Sequence, residues 1–195
     1  MNYKELCNED KIAAITECRF WKGELALVEQ YIEALKTNNM AAIEEFESFG
    51  DSPQHIVNNK SCYEHAFSAF GFTGKTFNER GWLEDAAFMD CETFYFGCGI
   101  KGNLMGRNSI IIGRGANGKW TYGMYLAASK SGRCSGLSIF NDPCESRHTC
   151  LRHGLEEMIA WHTKENDRKT APVIKEAKDM LDEIMGRKPK QLSLF

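Results

Sequence analysis

The sequence predicts an α+β fold: N-terminal helices, then a four-stranded antiparallel β-meander, then two C-terminal helices. Apolar residues in the N-terminal third and after residue 146 repeat every three or four positions, as on one face of a helix. Between these regions, residues 93–141 hold 10 of the 17 glycines, which separate short runs of β-forming residues. Because helices and strands are grouped along the chain, this order favours α+β over a parallel α/β fold.

The N-terminal third is predicted to form helices. Their apolar faces would be Ile12, Ile15 and Phe20 in the first, Leu25, Val28, Ile32 and Leu35 in the second, and Met40, Ile43 and Phe46 in the third. Residues 50–59 around Pro53 are predicted to be a loop, followed by a short helix with Tyr63, Phe67 and Phe70. Residues 71–92 are interpreted as loop with one helical turn around residues 83–88.

The glycine-rich region is predicted to form the meander. Its strands are expected at residues 93–96, 109–112, 120–122 and 137–140, and its turns near residues 101–107, 115–118 and 129–133. The pair Asn117-Gly118 between two of these runs predicts a type I′ hairpin turn.

Two helices are predicted to follow, over residues 146–164 and 171–185, and to cover one face of the sheet. The first would begin near Asp142-Pro143 or at Ser146, and the second has Pro172 in its first turn. Their apolar faces would be Leu151, Leu155, Met158 and Ile159, and then Val173, Ile174, Ala177, Met180, Leu181 and Ile184.

Length and composition indicate a single globular domain over residues 1–185 and a flexible tail over residues 186–195. With 195 residues, 43% of them hydrophobic, the chain can bury one good core. Without an apolar run of membrane-spanning length or a signal peptide, we expect a cytoplasmic protein with no membrane partner. The eight cysteines are scattered without a Cys-x-x-Cys pair, as is typical of small core residues in a reducing compartment.

Charge is distributed unevenly along the chain. Residues 1–92 carry 8 Lys/Arg and 17 Asp/Glu, whereas residues 93–141 carry six Lys/Arg and no acid. This stretch predicts a nucleic-acid-binding face on the meander, with cations neutralising phosphates and aromatic rings stacking on unpaired bases. The cations are Arg107, Arg114, Lys119, Lys130 and Arg133, and the rings are Trp120 or Tyr122, with Tyr95 and Tyr125 as further candidates. In the competing hypothesis these cations pair with the acidic N-terminal helices and bind no DNA.

The last five residues of the sequence are Gln191-Leu192-Ser193-Leu194-Phe195. This pentapeptide resembles the motif Gln-Leu-Ser/Asp-Leu-Phe, through which replication and repair proteins bind the bacterial sliding clamp. The resemblance implies the clamp as a partner, with Leu194 and Phe195 as buried anchors and Gln191 as the polar contact that fixes register. An extended peptide loses conformational entropy only when it binds, which suits a weak and exchangeable contact.

Other motifs give no positive prediction of chemistry. Cys144, His148, Cys150 and His153 lie within ten residues, but on a helix the two Cys/His pairs point apart, which disfavours one tetrahedral zinc site. Gly97-x-Gly99-x-x-Gly102 lacks the helix and the acidic residue of a dinucleotide site. We therefore expect no metal or other cofactor, and a binding protein rather than an enzyme.

These observations give three functional hypotheses. The first is a clamp-tethered accessory protein of bacterial or mobile-element DNA replication or repair that touches DNA through the meander. The second is an adaptor or inhibitor of phage or plasmid type that occupies the clamp without binding DNA. The third, a clamp-recruited nuclease, is disfavoured because residues 93–141 contain no carboxylate to hold Mg²⁺.

Overall fold

The computed structural model describes residues 3–97 and 108–187. These residues divide into two compact units: the first contains the residues up to Ser68 and Phe72–Ala86, and the second contains Ala69–Gly71 and the residues from Ala87 onward. Helices come first, an antiparallel sheet follows and two helices end the described chain, so the α+β prediction is confirmed. The expectation of a single domain over residues 1–185 stays a prediction.

Helices dominate the first unit. They are α1 (Asn8–Glu17), α2 (Leu25–Lys36), α3 (Met40–Glu47) and most of α4 (Pro53–Phe70). Phe20, predicted on the first helix, lies beyond the end of α1. In α2 the buried face is formed by Leu27, Tyr31 and Leu35, whereas Leu25 is 47% exposed, so the predicted stripe is displaced. Tyr31 can be buried because its hydroxyl donates to Glu47 Oε1 at 3.0 Å.

Helix α4 corrects two predictions. Residues 53–59 are its first turns and not a loop, and the short helix predicted around Phe67 is its C-terminal part. Pro53 is compatible with this position because the first helical residues need no N–H donor. Ser52 supports the start, since its Oγ accepts from His55 N at 3.3 Å and its carbonyl from Ile56 N at 2.9 Å. The helical turn expected around residues 83–88 is absent; instead, Leu83 forms an isolated bridge with Phe77.

The second unit contains the predicted four-stranded antiparallel sheet. Its strands are β1 (Met89–Phe96), β2 (Asn108–Arg114), β3 (Trp120–Ala127) and β4 (Gly132–Ser135), and they lie side by side in chain order. The fourth strand was wrongly predicted at residues 137–140, because the apolar run Leu137–Phe140 follows β4 as irregular chain.

The hairpin between β2 and β3 turns where the sequence predicts, but with another geometry. Gly118 has a φ of +86°, whereas Asn117 is not among the residues with positive φ, so the turn is not type I′. Gly118 N donates to Gly115 O at 3.1 Å, and Gly115 N donates to Lys119 O at 2.7 Å. This pattern fits the three-residue loop in which a left-handed glycine follows a tight turn.

Two helices, α5 (Arg147–Glu165) and α6 (Ala171–Ile184), pack on one face of the sheet, as predicted. Helix α5 lies against β2 and β3, and α6 lies against β1 and α5. Ser146 caps α5 by accepting from Thr149 N at 3.1 Å. The shared core contains Phe96, Ile110, Ile112, Met124, Leu126, Leu151, Leu155, Met158, Val173 and Ala177. We call the helix-covered face of the sheet the inner face and the opposite one the outer face.

Candidate functional site

The rings proposed first for base stacking lie on the inner face. Trp120 and Tyr122 are half-buried and pack against the core beneath α5. The hydroxyl of Tyr122 donates to Glu157 Oε2 at 2.8 Å, and burial, followed by this bond, raises the pKa of Tyr122. Both rings thus contribute to the core of the second unit, which limits their access to a base.

Three of the predicted phosphate-binding cations pair with carboxylates. Arg114 Nε lies 2.6 Å from Asp90 Oδ2, Lys119 Nζ lies 3.6 Å from Glu145 Oε1, and Arg133 Nη1 lies 2.5 Å from Glu157 Oε1. The carboxylates belong to β1, to the residues just before α5, and to α5 itself, and not to α1–α4 as the competing hypothesis expected. All three pairs are partly exposed, so each contributes about 0–1 kcal/mol to stability and can exchange with solvent.

Two further predicted cations differ from these three. Lys130 is exposed in the turn between β3 and β4 and has no ion pair within residues 3–97 and 108–187. The neighbouring turn residues contact carboxylates, because Ser129 N donates to Asp167 Oδ2 at 2.7 Å and Ser131 Oγ donates to Glu165. Arg107 lies outside the described residues, so its predicted role stays a prediction.

The two other candidate rings lie on the outer face in a single cross-strand row. Tyr95 of β1 pairs with Ser109 of β2, Ser109 pairs with Tyr125 of β3, and Tyr125 pairs with Cys134 of β4. Directly opposed residues project from the same face, so these four side chains form one line, which we call the tyrosine row. Tyr95 is 54% exposed and Tyr125 is 37% exposed. Two strand spacings separate them, a distance of about 10 Å.

The chain itself covers the rest of the outer face. Residues 136–141, which we call the crossing segment, follow β4 and pass over β3 and β2. A Cβ on Gly123 would lie 2.5 Å from the backbone of Ser135 and Gly136, and one on Gly113 would lie 2.7 Å from Leu137 Cδ1. The crossing segment thus covers the half of this face away from the tyrosine row, and bounds the exposed half.

The Cys/His cluster at the start of α5 separates into two environments. Cys144 Sγ lies 3.7 Å from His153 Nδ1, whereas His148 Nε2 lies 2.9 Å from the carbonyl of Ile184. Burial raises the pKa of the Cys144 and Cys150 thiols, which keeps them protonated near neutral pH. Over the residues that the structure describes, no group of three or more His, Cys, Asp or Glu side chains is placed to hold a metal ion.

One buried polar group was not predicted. His162 of α5 is fully buried, and its Nε2 lies 2.9 Å from Asn108 Oδ1 at the start of β2. Asn108 Oδ1 also accepts from Ala127 N at 2.8 Å, so Nε2 must be the donor of this bond. His162 Nδ1 is buried without a hydrogen-bond partner, and burial lowers the His162 pKa. The sequence gives no signal of this burial, because a histidine in an amphipathic helix can lie on either the buried or the exposed face.

The predicted clamp-binding residues, Gln191, Leu192, Ser193, Leu194 and Phe195, lie outside the described residues. Their role stays a prediction from the sequence.

Comparisons with known proteins identify no relative: no protein-family model matches the chain, and no curated protein or solved structure matches it significantly. In the described part of the chain, no helix combines the length and apolar character needed to cross a membrane.

Proposed function

We propose that this protein binds the bacterial sliding clamp through Gln191–Phe195 and acts as an accessory protein of bacterial or mobile-element DNA replication or repair. The observation that carries this proposal is the complete pentapeptide Gln-Leu-Ser-Leu-Phe. Burying the Leu194 and Phe195 side chains in an apolar pocket would contribute roughly 3–6 kcal/mol before the cost of ordering the peptide. That balance corresponds to a weak contact that other clamp-binding proteins can displace.

Calorimetry with the full chain and a purified bacterial sliding clamp tests this proposal. The wild-type chain is expected to bind with micromolar affinity. Replacing both anchors, Leu194→Ala with Phe195→Ala, should weaken binding by roughly 100-fold or more. Ser193→Asp is the matched control, because the motif accepts Ser or Asp at this position and affinity should stay unchanged. Equal affinity of the wild type and the double variant would refute the proposal.

A second candidate function is that of an adaptor or inhibitor which occupies the clamp without contacting DNA. The ion pairs of Arg114, Lys119 and Arg133 favour this alternative, because paired guanidinium and ammonium groups are less available to phosphates. Fluorescence anisotropy with single-stranded and duplex oligonucleotides at low salt distinguishes the two. Binding of neither oligonucleotide would select the adaptor.

A further inference from the structure

We propose that two copies of this chain associate through their first units, with Trp21 of each copy inserted into a groove of the other. Trp21 belongs to residues 18–24, which connect α1 to α2 and which we call the Trp21 loop. The groove lies between α2, α3 and α4, and we call it the acidic groove. This inference goes beyond the proposed function and does not depend on clamp binding.

The side chain of Trp21 is held outside the core of its own chain. It is 80% exposed, more than any other large hydrophobic residue that the structure describes. Its backbone N–H donates to Glu24 Oε2 at 2.8 Å, which fixes the loop, but among the described residues the indole joins neither hydrophobic core. Tryptophan is enriched among the few residues that supply most of the binding energy of protein interfaces. An exposed indole on a fixed loop therefore indicates contact with another protein molecule.

Two exposed cations, Arg19 and Lys22, flank Trp21. Neither forms an ion pair within residues 3–97 and 108–187. The nearest acids along the chain are Glu17, which is exposed at the end of α1, and Glu24, which is buried and accepts hydrogen bonds through both carboxylate oxygens. The Trp21 loop thus presents an aromatic ring between two positive charges that can meet carboxylates of another molecule.

The acidic groove matches this loop in size and character. It has a volume of about 680 Å³, within the range of about 300–1,000 Å³ that is typical of ligand pockets. Buried Ala34 and Phe46 contribute an apolar floor. Glu29 and Glu33 of α2 also line it, and both are exposed and form no ion pair in the part of the chain that the structure describes. Like charges four residues apart destabilise a helix, so a cation bound beside them relieves this repulsion.

Charge complementarity favours a second copy of the chain as the occupant. Four glutamates and one lysine line the acidic groove, a net charge of −3, and the lysine, Lys60, already pairs with Glu45 and Glu64. The Trp21 loop supplies both the cations and the apolar ring that such a groove would bind. Because loop and groove belong to the same unit, two copies can exchange them reciprocally, as in a closed two-fold dimer. The excess of acid in the first unit opposes association, so the dimer should be weak, with a Kd in the micromolar range or above.

Sedimentation velocity with the full chain, from micromolar to millimolar concentration, provides the test. The wild type should change from monomer to dimer as the concentration rises. Trp21→Ala should raise the Kd of the dimer by at least about 30-fold, because the indole is the central anchor. Met185→Ala is the matched control, since it removes an exposed apolar side chain from the second unit, and it should associate like the wild type.

Exchange of charges tests the contact directly. One variant carries Glu29→Lys with Glu33→Lys, and the other carries Arg19→Glu with Lys22→Glu; all four positions are exposed, so both variants should fold. Each variant alone places like charges in loop and groove and should stay monomeric. An equimolar mixture places opposite charges at both contacts and should form a heterodimer, which also shows that both variants are folded.

The variant Leu194→Ala with Phe195→Ala should dimerise like the wild type, so that clamp binding and self-association fail separately. Three outcomes would overturn the proposal: a wild type that stays monomeric at millimolar concentration, unchanged association of Trp21→Ala, or charge-exchanged variants that stay monomeric when mixed. Binding of a lysine-rich peptide to a wild type that stays monomeric would also overturn it, and would assign the groove to a basic segment of a different protein.

Discussion

Asn59, a buried residue of α4, satisfies three backbone groups of two separate segments through one side-chain amide. Its Nδ2 donates to Phe49 O at 2.7 Å and to Gly81 O at 2.8 Å, and its Oδ1 accepts from Leu83 N at 2.9 Å. This amide therefore helps to attach the irregular residues 72–86 to α4, together with the edge-on contact between the rings of His55 and Trp82.

Replacing Asn59 should destabilise the first unit. Asn59→Ala leaves two carbonyls and one N–H without partners, at a cost of about 2–4 kcal/mol in the free energy of unfolding. Urea unfolding measures this change. Gln54→Ala, an exposed position on the same helix, is the control and should change stability by less than about 0.5 kcal/mol. A loss equal to that of the control would show that water satisfies these groups.

His162 should make the protein less stable in mild acid. Burial lowers its pKa in the folded state below the ordinary value of 6.5, so below pH 6.5 the unfolded chain takes up a proton that the folded chain does not. The stability due to the neutral imidazole is thus complete above pH 6.5 and declines as the pH falls, by at most about 1.4 kcal/mol per pH unit.

The variant His162→Gln tests this pH dependence, since an amide can still donate to Asn108 Oδ1 but does not titrate. Urea unfolding at about pH 8 and about pH 5 should show a smaller loss of stability for the variant than for the wild type. The two proteins differ at this position alone, so the difference between their profiles reports on His162. Parallel pH profiles would contradict the prediction.

At the scale of the elements, the start of the crossing segment packs closely on β3. Of the two glycines at this contact, Gly123 and Gly136, only Gly123 cannot be replaced without a clash. A Cβ on Gly123 of β3 would lie 2.5 Å from Ser135 O and from the carbonyl carbon of Gly136, and neither backbone atom can rotate away. A Cβ on Gly136 would meet no atom within 4 Å.

These two glycines give a matched pair of variants. Gly123→Ala should lower the free energy of unfolding by more than about 2 kcal/mol, because the crossing segment must lift off the sheet. Gly136→Ala should change it by less than about 0.5 kcal/mol. Thermal unfolding followed by circular dichroism measures both. Equal effects would mean that the crossing segment moves aside at little cost.

The differences between sequence prediction and structure also have physical causes at this scale. The spacing of apolar residues predicted most of the helices, and the runs of β-forming residues between glycines predicted the sheet. Both signals are local, so they can be read from the sequence. Pro53 was interpreted as a breaker although the first helical turn tolerates proline. The run Leu137–Phe140 has strand composition, but it crosses the outer face, which only the fold can show. Strand alternation implies that Tyr122 and Tyr125 lie on opposite faces, but only the fold shows which face the helices cover.

Across the whole molecule, three of the four described cations of the acid-free residues 93–141 are neutralised by nearby carboxylates. The acid-free residues 93–141 lie beside elements that carry carboxylates, so Arg114 pairs with Asp90 of β1 and Arg133 with Glu157 of α5. Arg147 likewise pairs with Glu92 of β1 through two contacts of 2.6 Å. Charge counted along the chain therefore overstates the positive field at the surface of the meander.

This pairing predicts a shallow salt dependence of nucleic-acid binding. On a single strand, Lys130 alone corresponds to a slope of log K against log salt of about −0.7. Adding Lys101 and Arg107, the two cations of residues 93–141 that lie outside the described residues, gives about −2. Opening the ion pairs, so that six cations meet phosphates, would give about −4. Anisotropy titrations with oligo(dT) between about 50 and 200 mM salt measure the slope. A slope near −4 would instead support the sequence-based prediction that the cations of the meander, including Arg114, Lys119 and Arg133, bind phosphates.

The route of the chain after β4 also has a consequence for association between copies. Beyond β4, Trp120 N donates to Cys144 O at 2.8 Å and Cys144 N donates to Trp120 O at 2.7 Å, while Asn141 Nδ2 donates to Tyr122 O at 2.9 Å. The edge of β3 that the four-residue β4 leaves uncovered is thus occupied by the same chain. The edge at β1 is interrupted by a bulge between Met89 and Glu92. The regular edges left in the described residues are therefore short, five residues in β1 and four in β4, and short edge strands are poor templates for edge-to-edge aggregation.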